Sequence, residues 1–262
     1  MKISGRTFVV SGGASGLGRA CVRDIVAAGG NAMILDMNQE QGAELVGQLG
    51  PSTQFQACDV SSTTSIADAV AATLSWIAST GKPLGGIIPA AGVGFPGLIL
   101  DKKLKPVSLE SIDLVLSINL RGTLDLVRQL LPALAASEPS GPDGERGVVI
   151  MVASAAAFEG QMGQVAYAAS KGAVASMTLP MARDLARFGI RVVTIAPSMF
   201  ESNMTAHMSD KVRTGLQKAM EFPPRAGKPE EFASLVRQSI ENSMLNGVVI
   251  RLDGATRMPS KL

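Results

Sequence analysis

Histidine, cysteine and aromatic residues are scarce in this chain of 262 residues. It has one histidine, two cysteines, one tyrosine and one tryptophan. Because zinc sites are usually built from several histidine and cysteine ligands, we expect no metal site of this kind. Cys21 and Cys58 form no C-x-x-C pair, and we interpret them as small buried hydrophobic residues.

A strong net charge and long apolar runs are also lacking. Lysine and arginine number 24 and aspartate and glutamate 22, which leaves a net charge of +2. So small a charge argues against binding to nucleic acid or to a membrane surface. No apolar run approaches the roughly 18 residues of a membrane span. A strand pattern begins almost at the first residue, so we expect no leader and a cytoplasmic protein. The mitochondrial matrix is the alternative if a transit peptide has been removed.

The most informative polar residues lie between positions 152 and 178. An apolar, β-branched run at 147–153 predicts a buried strand, and Ser154 follows its end. Two glycines separate this strand from a segment rich in alanine, which favours a helix. Tyr167 and Lys171 are four residues apart on that helix, so they share one face and lie roughly 6 Å apart along its axis.

This arrangement is suited to moving a proton on or off a substrate oxygen. A free tyrosine has a pKa of about 10, and a nearby ammonium favours the phenolate. We therefore expect Lys171 to lower the pKa of Tyr167 and Ser154 to hold the substrate oxygen. Tyr-x-x-x-Lys also occurs by chance in helices, but Tyr167 is the only tyrosine of the chain and lies 13 residues after Ser154. Proton transfer supplies no electrons, so a redox reaction needs a cofactor.

A glycine-rich loop follows the first predicted strand. It carries Gly12, Gly16 and Gly18 and leads into a predicted helix at 19–28. In a strand–loop–helix unit, glycines let the backbone approach a phosphate, and the helix N-terminus offers free N–H groups. The spacing is G-x-x-x-G-x-G rather than G-x-G-x-x-G. Because many turns are rich in glycine, the loop predicts a dinucleotide site only together with other signals.

An acid lies at the end of the second predicted strand. Asp36 is 18 residues beyond Gly18, near the interval expected for the carboxylate that binds an adenosine ribose. A carboxylate there repels a 2′-phosphate, and no arginine stands at positions 13, 14 or 37 to bind one. We therefore predict NAD rather than NADP. The alternative is a surface aspartate at a strand end.

Small or polar residues follow the third and fourth predicted strands. Asp59 is placed to bind the adenine amino group and Val60 to pack on the ring. Alternatively, Asp59 is an ordinary helix N-cap. The small residues Ala90 and Gly92 would let the backbone pass close beneath a cofactor.

A long helix predicted over 109–134 contains one polar residue of interest. Asn119 is either a structural hydrogen-bonding residue or the holder of a water that leads to Lys171.

Two loops are candidates for substrate contact. The loop at 93–106 is either a solvated loop or a site for an anionic group such as a CoA phosphate, because it contains Lys102, Lys103 and Lys105. The segment at 198–224 is either a mobile lid over an apolar substrate or plain helical packing. Its apolar residues include Met199, Phe200, Met204, Met208, Met220 and Phe222.

Strands and helices alternate along the chain, which predicts an α/β fold. The expected strands are residues 7–11, 31–36, 54–58, 86–90, 147–153, 190–196 and 247–252. They predict a Rossmann-like, doubly wound parallel sheet of about seven strands with helices on both faces, in a single domain over residues 1–262. Ligands bind at the carboxyl ends of such strands. The residues at or just after those ends are Ser11, Asp36, Asp59, Ala90, Ser154 and Pro197.

Over its whole length the chain resembles the short-chain dehydrogenase/reductase family. The glycine pattern matches the family's cofactor loop, and the catalytic tetrad is matched by Asn119, Ser154, Tyr167 and Lys171. Within the family it is most similar to type-2 3-hydroxyacyl-CoA dehydrogenases, also known as 17β-hydroxysteroid dehydrogenases of type 10, at residues 156–161, 178–185 and 250–255. The resemblance implies a homotetramer. It also implies NAD contacts at Ser15, Leu17, Asp36, Asp59, Val60, Ala90, Tyr167, Lys171 and Phe200.

Three departures from the family pattern bear on the ligands. The family's Asn-Asn-Ala-Gly reads Pro-Ala-Ala-Gly at 89–92, and its Pro-Gly reads Pro197-Ser198. Both affect the cofactor geometry. The sequence after Phe200 also differs, which affects the substrate.

The resemblance implies NAD-dependent interconversion of a secondary alcohol and a ketone, with an (S)-3-hydroxyacyl-CoA as the favoured substrate. Tyr167 would exchange the proton, Ser154 would position the oxygen, and Asn119 would support a proton relay. The alternative substrates are a steroid or a small cyclic alcohol. An alternative of another class is a non-catalytic nucleotide-binding scaffold protein, which a missing tyrosine or lysine would have indicated.

Overall fold

The fold is a parallel β-sheet between two layers of helices. The computed structural model describes residues 1–202, 205, 214–216 and 219–259. Its sheet has seven parallel strands in the order β3-β2-β1-β4-β5-β6-β7. They are β1 (Thr7–Ser11), β2 (Asn31–Asp36), β3 (Thr53–Ala57), β4 (Leu84–Pro89), β5 (Gly147–Val152), β6 (Ile190–Pro197) and β7 (Val248–Leu252). The predicted fold class is confirmed, and each predicted strand is found with ends shifted by two residues at most.

Alternate residues of the strands face the two helical layers. In β1, Phe8 and Val10 pack into one core and Val9 into the other, as the two-residue period of a strand requires. One layer contains α1 (Gly16–Ala27), α2 (Gln39–Leu49) and α7 (Pro229–Glu241). The other contains α3 (Thr63–Thr80), α4 (Leu109–Leu116), α5 (Thr123–Ala136) and α6 (Val165–Leu185). Of these helices, α2 was not predicted from the sequence.

The long helix predicted over 109–134 is interrupted. A π-helical stretch, Ser117–Gly122, separates α4 from α5. It brings Gly122 against the backbone of Val60, and a Cβ atom on Gly122 would lie 2.5 Å from the Val60 carbonyl oxygen. The predicted long helix is therefore present over 109–136, but the π stretch within it was not predicted, because apolar periodicity does not distinguish a short π stretch from an α-helix.

Both cysteines are free and buried, as predicted. Burial raises the pKa of each thiol, that of Cys58 to about 11. In the described parts of the chain, no helix is both long enough and apolar enough to cross a membrane. Over those same residues, no group of three His, Cys, Asp or Glu side chains could hold a metal ion.

Candidate active site and dinucleotide cradle

The glycine loop that joins β1 to α1 depends on glycine at several positions, of which two are the most restrictive. Gly12 has a φ of +64°, and a Cβ there would lie 2.9 Å from the Cα of Ala91. A Cβ on Gly18 would overlap the carbonyl oxygen of Gly12. The loop is therefore folded closely against the start of α1 and the end of β4, at the carboxyl edge of the sheet.

The N-terminus of α1 differs from those of the next three helices. Asn38, Ser62 and Ser108 each accept a hydrogen bond from a backbone N–H of the helix that they precede. Ser15 makes no such bond, and the first turn of α1, which begins with Gly16 and Leu17, contains no acid. Uncapped N–H groups and the positive end of the helix dipole fit a diphosphate.

The carboxylate of Asp36 lies beside this loop. Its Oδ2 accepts a hydrogen bond from the backbone N–H of Ala14 at 3.1 Å, and its Oδ1 accepts one from that of Asn38 at 3.0 Å. Each oxygen retains acceptor capacity for a ribose hydroxyl. The predicted neighbourhood of Asp36 and the glycine loop is thus present.

Asp59 follows β3, at the same edge of the sheet. Its Oδ1 accepts hydrogen bonds from the backbone N–H and the hydroxyl of Ser61. The cap of α3 is Ser62 rather than Asp59, so the N-cap alternative was wrong. Val60 is partly buried and packs against the core beside α5. The adenine contacts of both residues stay predictions.

The segment after β4 is held by β1. The N–H of Ala90 donates to the carbonyl oxygen of Ser11, and the N–H of Ala91 donates to the Ser11 hydroxyl, both at 3.2 Å. Ser11 thus fixes a segment that lacks the asparagine side chains of the family pattern. Sequence reasoning placed Ser11 at the crevice but missed this role, which requires the parallel pairing of β1 with β4.

Gly92 brings the proposed catalytic residues close together. A Cβ on Gly92 would lie 3.2 Å from Asn119 Oδ1 and 3.4 Å from Lys171 Nζ. Asn119 is fully buried. Its Oδ1 accepts from the Val93 N–H at 2.8 Å, and its Nδ2 donates to the Val93 carbonyl and to the Ser170 hydroxyl. The structural alternative for Asn119 is therefore confirmed, and its part in a proton relay stays a prediction.

Ser154 and Tyr167 meet where β5 ends and α6 begins. Ser154 is buried, and its Oγ accepts a hydrogen bond from the Ala156 N–H at 3.2 Å. Burial raises the pKa of the Tyr167 hydroxyl above its ordinary value, and a hydrogen bond with Ser154 opposes that rise. The expected net lowering of the Tyr167 pKa was therefore wrong for the chain without its cofactor, because desolvation of the phenolate is the dominant effect.

Lys171 is held by the backbone. Its Nζ donates to the Val152 carbonyl oxygen at 2.8 Å and lies 5.9 Å from the centroid of the Tyr167 ring. Only 6% of the residue is exposed, and this burial lowers the pKa of Lys171 to about 8. The ammonium is therefore present at neutral pH and is lost under mildly alkaline conditions.

This burial predicts a pH dependence of stability. The ordinary pKa of lysine is 10.5 and that of folded Lys171 is about 8, so the unfolded chain binds more protons between these values. Stability therefore rises with pH across this window. Between pH 8 and 10.5, the free energy of unfolding of the parent protein should therefore rise by about 2 to 3 kcal/mol relative to that of Lys171→Met. Urea unfolding at several pH values measures this difference. The exposed Lys2 supplies the control, since Lys2→Met should follow the parent. Parallel curves for Lys171→Met and the parent would contradict the prediction.

The segment after β6 differs from the expectation of a lid. Met199, Phe200 and Met220 are buried. The Phe200 ring packs edge-to-face on Phe232, at 6.2 Å between centroids. Packing is therefore the correct alternative for these three residues, and any NAD contact of Phe200 would have to be made by its backbone. Phe222 is 81% exposed, and Met204 and Met208 lie outside the described residues.

Ser198 follows Pro197, the last residue of β6. Its N–H donates to the Leu252 carbonyl oxygen. Over the residues that the structure describes, its hydroxyl is a buried polar atom without a hydrogen-bond partner. Buried polar groups normally have a partner, so this hydroxyl fits a polar group of a bound ligand, such as the amide of a nicotinamide.

A short apolar cleft adjoins the residue before Tyr167. It measures about 200 Å³, and its lining includes Phe95, Ile99, Val107, Ile112 and Ala166. This cleft was not predicted from the sequence. The apolar stretch at 93–100 could have indicated it, but the loop was interpreted only from its lysines.

The site has the features of a nicotinamide-dependent dehydrogenase. These are a loop that fits a diphosphate, an acid beside that loop and a Ser–Tyr–Lys group at the same edge of the sheet. The chain belongs to the short chain dehydrogenase family, whose model matches residues 6–213.

Comparisons with individual proteins agree with this membership. The chain is 42% identical over 257 residues to the 3-hydroxyacyl-CoA dehydrogenase type-2 of Bos taurus, which covers 98% of this chain and 97% of the relative. The crystal structure of a 3-hydroxyacyl-CoA dehydrogenase type-2 from Mycobacterium avium has a TM-score of 0.91 at 35% identity, over 100% of both chains. A 3-ketoacyl-(acyl-carrier-protein) reductase from Brucella melitensis, solved with NADH, has a TM-score of 0.83 at 25% identity, over 97% of this chain and 99% of the other.

The family predicted from the sequence is confirmed. The chain is an oxidoreductase that interconverts a secondary alcohol and a ketone with a nicotinamide cofactor.

Proposed function

We propose that this chain oxidises an (S)-3-hydroxyacyl-CoA to the 3-oxoacyl-CoA with NAD, reversibly. The observation that carries the proposal is the grouping of Ser154, Tyr167 and Lys171 beside Gly92, at the edge of the sheet that also holds Asp36. The choice of substrate is supported by the two similar proteins named 3-hydroxyacyl-CoA dehydrogenase type-2.

Each residue has one task in this proposal. The bound nicotinamide supplies the hydride-transfer chemistry. Ser154 holds the substrate oxygen, and Tyr167 gives a proton to it or takes one from it. The raised pKa of Tyr167 keeps this residue protonated at neutral pH, which suits ketone reduction. Alcohol oxidation needs the phenolate, which the Lys171 ammonium and the positive charge of the oxidised cofactor favour.

The acyl chain and the CoA moiety would occupy two neighbouring regions. The apolar cleft at Phe95 and Ile99 suits an acyl chain. Beyond it, Asp101 Oδ1 accepts hydrogen bonds from the backbone N–H groups of Lys103 and Lys105, which shape an exposed loop. With Lys102, these side chains give the loop three cations for the CoA phosphates.

The cleft also supports a second candidate. Its lining is mainly apolar and needs no anion, so a steroid or a small cyclic alcohol is an alternative substrate. The non-catalytic scaffold is disfavoured because the tyrosine and the lysine are both present beside Ser154.

A substrate panel tests the proposal. NADH production is measured with 3-hydroxybutyryl-CoA, longer 3-hydroxyacyl-CoAs, steroids and simple alcohols. The highest kcat/KM is expected for a CoA ester. A preference for a steroid or cyclic alcohol would favour the second candidate, and no turnover of any CoA ester would overturn the proposed substrate class. A variant with Lys102, Lys103 and Lys105 changed to Gln should raise KM for the CoA ester without changing KM for a simple alcohol.

The cofactor preference depends on Asp36. We expect NADH to bind at least about tenfold more tightly than NADPH, because the carboxylate repels a 2′-phosphate. Asp36→Asn should remove most of this difference. Fluorescence titration with both dinucleotides measures it, and a parent protein that prefers NADPH would overturn the role of Asp36.

We also propose a homotetramer in the cytoplasm. Leu109, Leu114, Leu124 and Leu179 are exposed on α4, α5 and α6, and such a surface suits contact with other copies. Light scattering measures the mass, and a monomer in solution would contradict this assembly.

A further inference from the structure

We propose that Arg251 and Glu159 are positioning residues that hold the Ser154 loop in its working geometry. Glu159 lies in the loop between β5 and α6, five residues after Ser154, and Arg251 lies in β7. The inference rests on the proposed catalytic role of Ser154 and adds two residues that do not touch the reacting atoms.

The two side chains form a two-point ion pair. Arg251 Nη1 donates to Glu159 Oε1 at 2.8 Å, and Arg251 Nη2 donates to Glu159 Oε2 at 3.2 Å. The guanidinium also lies 5.3 Å from the centroid of the Phe158 ring. A planar fork that meets a carboxylate at two points restricts orientation as well as distance. Arg251 therefore fixes both Phe158 and Glu159, at the far end of the serine loop.

The pair also ties this loop to the segment after β7. Glu159 Oε2 accepts from the Met258 N–H at 3.0 Å, and Gln161 Nε2 donates to the Pro259 carbonyl at 3.2 Å. Asp253 Oδ2 accepts from Arg251 Nε at 2.6 Å. Residues 251–259 are thus attached to the serine loop at several points.

The serine loop has little regular structure of its own. Between β5 and α6 it contains one short 3₁₀ turn, Ala155–Ala157, and Ser154 is the N-cap of this turn. The loop also packs closely on the catalytic helix, since a Cβ on Gly160 would lie 3.0 Å from the Cβ of Ala168, the residue after Tyr167. A shift at Glu159 would therefore reach both Ser154 and the start of α6.

A stabilising role and a positioning role have different consequences, and a second pair separates them. The side chains of Glu159 and Arg251 are 22% and 25% exposed, and a purely stabilising effect should be shared by another two-point pair of similar exposure. The chain contains a matched pair for comparison. Arg237 and Asp24 join α7 to α1 by a similar two-point contact, at 2.8 and 2.6 Å, with 36% and 24% of their side chains exposed.

The test compares Arg251→Met, Glu159→Gln and the control Arg237→Met. We expect Arg251→Met and Glu159→Gln to lower kcat roughly tenfold to a hundredfold, the scale of a slightly misplaced group. NADH affinity should change less than about twofold, and Arg237→Met should keep the parent kcat. Arg251→Lys, which keeps the charge but loses the fork, should have an intermediate kcat. Thermal unfolding of each variant shows whether the loss of kcat follows the loss of stability.

A double-mutant cycle with Ser154→Ala identifies how the pair acts. If Arg251 acts through Ser154, Arg251→Met should lower the residual rate of Ser154→Ala much less than it lowers the parent rate. Equal losses in the two backgrounds, or a loss no larger than that of Arg237→Met, would overturn the positioning role. Parent-like activity of Ser154→Ala would instead overturn the proposed catalytic site, so the two failures are distinguishable.

Discussion

Replacing Tyr167 by Phe is expected to lower kcat by about 10²- to 10⁴-fold, the usual contribution of a positioned proton donor or acceptor. The ring and its packing remain, so NADH should bind as it does to the parent. Steady-state kinetics and NADH fluorescence measure the two quantities. Full activity of Tyr167→Phe would disprove the mechanism.

The same residue offers a direct test of the electrostatics. Because Tyr167 is the only tyrosine, the near-ultraviolet absorbance of tyrosinate reports its ionisation alone. Burial should place its pKa above the ordinary value, and removing the cation in Lys171→Met should raise it further. Adding NAD should lower it. Tyr167→Phe is the blank, and a Lys171→Met curve equal to that of the parent would show that the ammonium has no influence on the phenol.

Replacing Arg191 by Met is expected to destabilise the protein by about 3 to 5 kcal/mol. Arg191 is 6% exposed. Its guanidinium donates to the carbonyl oxygens of Ser239, Ile240 and Leu245 and pairs with Glu145 at 2.7 Å. It therefore caps the C-terminal end of α7 from β6, and the variant would leave buried carbonyls unpaired.

Urea unfolding of two further variants tests whether the carbonyl contacts of Arg191 account for this loss of stability. Glu145→Gln should cost less than Arg191→Met, because Arg191 keeps its carbonyl partners and the glutamine oxygen still accepts a hydrogen bond. Arg237→Met, at a partly exposed pair, should cost about 0 to 1 kcal/mol. If Arg191→Met were no more destabilising than Arg237→Met, the cap would have no energetic role.

Most of the sheet could be predicted because its five inner strands are almost wholly buried. The residues of β1 and of β2 up to Leu35 are buried, so each strand reads as an apolar run with clear ends. By contrast, α2 has a mostly polar sequence with two internal glycines, and only Gly42 and Leu45 are buried. Its formation depends on packing against β2 and β3, and this packing cannot be inferred from the local sequence pattern.

The site could be predicted where its residues are close in sequence or follow strand ends. Ser154, Tyr167 and Lys171 share one strand–helix unit, and parallel strands bring Asp36 to the same edge. The supporting contacts could not be predicted, because Arg251 and Glu159 are 92 residues apart. The direction of the Tyr167 pKa was also missed, since spacing along a helix indicates distance to a cation but not the extent of desolvation.

The π-helical stretch at Ser117–Gly122 sets the rotational phase between the two helices that it joins. A π turn holds more residues than the α turns around it. Because a π turn takes up one residue more than an α turn, replacing this stretch by an α-helix of the same length would rotate α4 by about 100° against α5. Deleting one residue there would remove the extra residue and keep the present phase. The packing of Val115, Leu126, Leu130 and Leu134, all buried, should therefore tolerate a one-residue deletion in this stretch better than a one-residue insertion.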